Sequence, residues 1–144
     1  MAFIDTDLIG SPSQSLAGLS GDHSRLGPND FRTSLIETVE GAWHSPICDL
    51  TCEHLRVLVS QKMGLKWISG AVAEFVERHP RVEITNYPGE LSLLALKALA
   101  EIEDSNPQAA TRLRGIDYSW MEEEFSFSRA LQREAAAVLS SIRH

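Results

Sequence analysis

The chain has 144 residues, 43% of them apolar and 23% charged, which suits one soluble globular domain with room for a sizeable core. Thirteen basic against twenty acidic side chains leave a formal charge of −7. That balance speaks against a nucleic-acid or anionic-membrane binder, whose phosphate contacts need clustered Lys and Arg, and it suits a basic protein partner.

Residues 1–30 have little periodicity and read as an irregular N-terminal arm, either flexible or laid on the domain. Gly10-Ser-Pro-Ser and Gly18-Leu-Ser-Gly are loop composition. Ile4, Leu8, Ile9, Leu16 and Leu19 could anchor the arm. Met1–Gly10 carries Asp5 and Asp7 and lacks the apolar run of a signal peptide. No stretch approaches transmembrane length. The chain therefore reads as cytoplasmic, with Cys48 and Cys52 reduced.

The helical domain spans residues 31–144. Ser34 and Glu37 have the spacing of a capping box, which predicts a short helix over 33–40 ending near Gly41. Trp43-His44-Ser45-Pro46 follows as a connection, with Trp43 large enough to plug the core edge. Thr51 can cap the next helix, whose Leu55, Leu58, Val59 and Met63 share one face. Gly64 suits the left-handed residue that ends it. Leu65, Ile68, Val72, Phe75 and Val76 repeat the stripe until Pro80 stops it. The two helices form a hairpin or cross steeply.

Arg81–Thr85 alternates polar and apolar residues, as a short strand or a linker would. In Tyr87-Pro-Gly-Glu90, Pro88 and Gly89 fit the centre of a type II turn. Leu91–Glu103 is rich in Leu and Ala and apolar nearly all round, so it predicts one buried central helix. Pro107 opens another short helix that ends at Gly115. Asp117 caps the last and longest helix, from Tyr118 into the C-terminus. Trp120, Phe127, Leu131, Ala135, Val138 and Ile142 form its stripe, widened by Met121, Phe125 and Leu139. Glu122–Glu124 near its start and Arg129, Arg133 and Arg143 further on complement the helix dipole. The fold class is all-α: a compact single-domain bundle of about five or six helices with a long C-terminal helix.

Cys48, Cys52 and His54 are the one soft-ligand cluster, but a structural zinc site needs four ligands and no second pair exists. His44, His54 and His79 could serve a nucleophilic Cys52 only within a motif that these residues do not form. Phosphate loops, nucleophile elbows and helical zinc-protease motifs are missing. No catalytic residue, metal or cofactor is assigned. The acidic clusters are Glu101, Glu103 and Asp104, and Glu122, Glu123 and Glu124. They are solvated helix faces or docking sites for a basic partner. Arg56 and Gln61 fall among the hairpin's core positions, as anchors of helix ends or loop carbonyls or, alternatively, as a direct functional contact.

Leu55-Arg56, Gln61, Gly64-Leu65, a helix stopped at Pro80, and Tyr87-Pro88-Gly89-Glu90-Leu91 together resemble the immunity proteins of bacterial contact-dependent growth inhibition systems. Leu35, Val39 and Trp43 resemble that family's opening helix, and the resemblance spans residues 34–95. Glu90 stands where the family more often has Asp, and Ser92 replaces its second leucine.

The resemblance implies a protein that binds and blocks the C-terminal domain of a cognate toxin in the cytoplasm, as a one-to-one complex. The toxin is expected to be a nuclease with a basic cleft, so the chemistry is the toxin's and this chain is no enzyme. The candidates for the toxin contact are Glu101, Glu103, Asp104, Glu122, Glu123 and Glu124, around a few aromatic anchors. Leu55, Arg56, Gln61, Gly64, Leu65 and Tyr87–Glu90 are scaffold instead, because the recognition surface is the part expected to vary. The alternatives are a helical adaptor that binds another protein and an enzyme with Cys52 or a histidine as catalyst.

Overall fold

A computed structural model describes residues 15–21, 34–46 and 49–142. Among them the chain forms nine helices and no strand: α1 (Leu16–Ser20), α2 (Ser34–His44), α3 (Cys52–Ser60), α4 (Leu65–Arg78), α5 (Glu90–Lys97), α6 (Leu99–Ser105), α7 (Pro107–Arg114), α8 (Met121–Glu124) and α9 (Arg129–Ile142). The all-α reading holds, with shorter and more numerous helices than the sequence predicts. No helix among the described residues is long and apolar enough to cross a membrane.

Part of the N-terminal arm is folded. Ser15 caps α1 by accepting from the Gly18 amide at 3.0 Å. Leu16 and Ala17 are fully buried, and Leu19 packs at the core's edge. Ile4, Leu8 and Ile9 lie outside the described residues. The helix predicted to end near Gly41 instead continues to His44 as α2. Burial of Val39, Ala42 and Trp43 outweighs the ~1 kcal/mol that a glycine costs inside a helix. Trp43 is thus part of the last turn of α2 rather than a connection, and it does plug the core. The predicted capping box rests on Ser34, whose side chain is outside the described part.

Thr51 caps α3 as predicted, its hydroxyl accepting from the His54 amide at 3.4 Å. The helix ends earlier than expected. Lys62 takes the left-handed conformation, with φ 56°. Its amide bonds to the Val59 carbonyl and that of Met63 to the Leu58 carbonyl, closing a Schellman turn. Gly64, at φ 70°, then opens α4 rather than ending α3. A Cβ there would sit 3.1 Å from Leu16 Cδ1, so the glycine also lets α1 approach. Gln61 is exposed in this turn, not part of the core.

Arg81–Thr85 is a linker, with a single bridge between Glu83 and Pro88. Tyr87–Glu90 is a turn of the expected kind: Gly89 has φ 82° and ψ 6°, and the Glu90 amide donates to the Tyr87 carbonyl at 3.4 Å. The single helix predicted over Leu91–Glu103 is two. Ala98, at φ −96° and ψ 9°, separates α5 from α6. The two halves serve different neighbours: α5 packs on α3 and α9, α6 on α4 and α7. Leu91, Leu93, Ala95, Leu96, Leu99 and Ile102 are buried, as an all-round apolar segment requires. The centre of the domain is shared with α4, where Ile68, Val72, Ala73 and Val76 are fully buried.

Pro107 opens α7 and Gly115 closes it, as predicted, and Asn106 caps it by accepting from the Ala109 amide at 3.2 Å. The long final helix is where the expectation fails most. Asp117 does not cap it. Its carboxylate accepts from the Ser119 amide at 2.9 Å and hydroxyl at 3.1 Å, an Asx turn leading into the short α8. The chain breaks again at Phe125–Ser128, and Ser128 caps α9 by accepting from the Leu131 amide at 3.3 Å. At 14 residues, α9 only equals α4. Arg129 opens α9, so the predicted complement to one long helix dipole is absent.

Candidate functional site

Two regions draw together the residues singled out in the sequence. The first is a buried junction between α3 and the turn before α5. Arg56 donates to Glu53 one turn earlier, and its Nη1 lies 3.5 Å from Glu90 Oε2. Glu90 is only 5% exposed, yet its carboxylate also accepts from the Asn86 amide at 3.2 Å and the Asn86 side chain at 2.7 Å. Arg56 therefore anchors two carboxylates, not helix ends or carbonyls. The Glu53 hydrogen bond, ahead of the opposing effect of burial, holds the guanidinium above its ordinary pKa. Burial first, then the charges of Glu90 and Glu134, push the Tyr87 hydroxyl up to about 12.

Aromatic rings close this junction. Tyr87 meets Phe125 edge-on at 5.6 Å, and Trp120 meets Phe125 in the same way at 6.1 Å. A Cβ on Gly89 would lie 2.6 Å from the Trp120 ring, so only glycine admits this contact. Leu55 and Leu65 are buried in the core below. The scaffold residues of the resemblance, Gln61 apart, thus occupy structural positions.

His54, weighed in the sequence as a ligand or base, has its Nδ1 engaged by the fold. Its Nδ1 accepts from the Thr51 amide at 3.1 Å, completing a reciprocal cap with the Thr51 hydroxyl. Burial holds its pKa below the ordinary value, partly countered by Glu53. Cys52 is buried, and Cys48 lies outside the described part. Among the described residues no group of three or more His, Cys, Asp or Glu could hold a metal ion.

The second region is the set of acidic candidates, and the structure divides them. Three already have internal partners. Glu101 accepts from Lys62 Nζ at 3.0 Å, which lowers its pKa, although its Oε2 atom is shielded without a donor. Glu103 accepts two bonds from Arg114, at 3.1 and 2.8 Å, which also hold its pKa down. Glu124 accepts from Arg81 Nε at 3.1 Å, and Arg81 also lies over the Trp120 ring. Asp104, Glu122 and Glu123 are exposed and have no ion pair among the described residues.

A few residues beyond Glu122 and Glu123 in the chain lies a residue the sequence misplaced. Phe127 was expected in a buried stripe, but it is 64% exposed, its ring 6.2 Å from Tyr87. The break at Phe125–Ser128 puts Phe125 in the core and turns Phe127 outward. Val82, at 39%, is the other exposed large apolar residue among those described, and its carbonyl accepts from the Gly89 amide. Val82 and Phe127 thus both adjoin the Tyr87–Gly89 turn. The signal that could have marked Phe127 is Ser126 and Ser128 on either side of it, since Ser128 is a helix cap.

No protein-family model matches the chain, and neither a curated protein nor a solved structure matches it.

Proposed function

We propose that this chain is an immunity protein that binds the C-terminal toxin domain of a contact-dependent growth inhibition system in the cytoplasm and neutralises it by covering its active face. The observation that carries this reading is Phe127, an exposed aromatic ring close in the chain to the exposed Glu122 and Glu123. Covering such a ring contributes on the order of 1.5–3 kcal/mol to a complex. Exposed carboxylates on the same face would guide a basic cleft onto it and reject acidic surfaces. Glu101, Glu103 and Glu124 contribute less, because their own cations already neutralise them.

A second support comes from the residues behind the resemblance. Leu55-Arg56 and Tyr87–Glu90 are far apart in the chain but share one ion pair. Catalysis belongs to the toxin, a nuclease in this reading, and the chain provides a surface. An adaptor for an unrelated protein would use the same ring and carboxylates. Co-expression separates the two readings. Cells making the toxin domain encoded beside this chain survive when the chain is present and die without it. Death in both cases would leave the adaptor.

A further inference from the structure

A second surface lies along α9 where it borders the core, since Ala135 belongs to the core and Leu139 packs against it. Of the residues of α9 only Ala135 is buried, and a groove of about 560 Å³ runs along the helix. Ala135, Ala136 and Leu139 supply its apolar lining, and Glu122, Arg129 and Arg133 its charges. Arg56, Lys62, Arg78, Arg81, Lys97, Arg112 and Arg114 each hold an ion pair, and Lys66 lies over Trp67. Arg129 and Arg133 are the only described Lys or Arg with neither. They are four residues apart on one helical face, and Glu122 shares their groove without bonding to either.

We infer that this groove is the contact face between two copies of the chain, with Arg129 and Arg133 of each copy receiving Glu122 of the other. A purely basic partner would meet Arg129 and Arg133, and a purely acidic one Glu122. A fitting partner carries both signs at mirrored positions. A second copy turned about a two-fold axis does so by construction, and each favourable pair then forms twice. Ala136, exposed beside the buried Ala135, leaves room for the opposing helix. Phe127 lies against Tyr87 and is not part of the groove lining, so the ring and Glu123 stay open in each copy, while Glu122 is shared and the dimer competes with the toxin for it. The inference stands whether or not the toxin reading does.

The test is sedimentation velocity on the full chain at low and high salt. The wild type sediments at twice the 15.9 kDa chain mass at low salt and dissociates as salt screens the pairs. Arg129→Glu with Arg133→Glu halves that mass, and so does Glu122→Arg alone. Mixing the two variants restores a dimer, because each then offers the charges the other lacks. Circular dichroism checks that both stay helical. A wild type that is monomeric throughout would leave the groove to some other protein and overturn the inference. Variants that still dimerise, or a mixture that does not, would also overturn it.

Discussion

The junction at Arg56 and the face around Phe127 both adjoin the Tyr87–Glu90 turn and treat charge in opposite ways. At the junction, Glu90 is bonded by Asn86 and paired with Arg56, and is almost shut off from water. At the face, Glu122 and Glu123 have water and no cation among the described residues. The first arrangement holds two segments together, and removing one member strands the others in a dry place. The second contributes little to the fold and leaves its charges for another molecule. Stability and recognition are therefore separable by mutation.

The largest effect belongs to the junction's tightest point. Gly89→Ala would force a side chain onto φ 82° and into the Trp120 ring. It should cost about 4 kcal/mol in chemical denaturation, from left-handed strain and overpacking together. Arg56→Ala comes next. It leaves the Glu90 carboxylate buried without its cation and should cost about 2–3 kcal/mol in the same assay. An unchanged midpoint would mean that water reaches Glu90 and that the contrast between the regions is false.

The reciprocal cap at Thr51 and His54 gives a smaller, pH-dependent effect. The folded pKa of His54 lies below its ordinary 6.5, so the fold prefers the neutral ring, whose Nδ1 accepts from the Thr51 amide. Its contribution is fully present above pH 6.5 and is lost as pH falls through the lower, folded value. Proton NMR should show the His54 ring titrating below 6.5. A midpoint at or above 6.5 would contradict the cap. The smallest change in stability should come from Phe127→Ala, within about 0.5 kcal/mol, since the ring is mostly exposed. A large loss there would make Phe127 part of the scaffold and erase the distinction.

Local signals were legible in the sequence where one residue decides the backbone. Thr51, Pro80, Gly89, Pro107 and Gly115 all act where expected. The breaks at Ala98 and at Phe125–Ser128 were not legible as breaks, because neither contains Gly or Pro and each depends on which neighbour a half-helix packs against. That second break decides which aromatic is buried, so Phe127 was placed on the wrong side. The partners of the acidic residues were hidden for a related reason. Lys62 lies 39 residues from Glu101, and Arg81 lies 43 from Glu124. No short-range pattern joins residues so far apart. The Arg56–Glu90 pair was likewise invisible, although both residues were already singled out.

Toxin survival with a surface variant bears most directly on the account. Cells expressing the neighbouring toxin domain should live with the wild-type chain. They should die with Phe127→Ala plus Glu123→Lys, provided that variant remains as helical and as abundant as the wild type. Full protection by the folded variant would contradict the claim that this face meets the toxin, and failure of the wild type to protect would contradict the immunity reading itself.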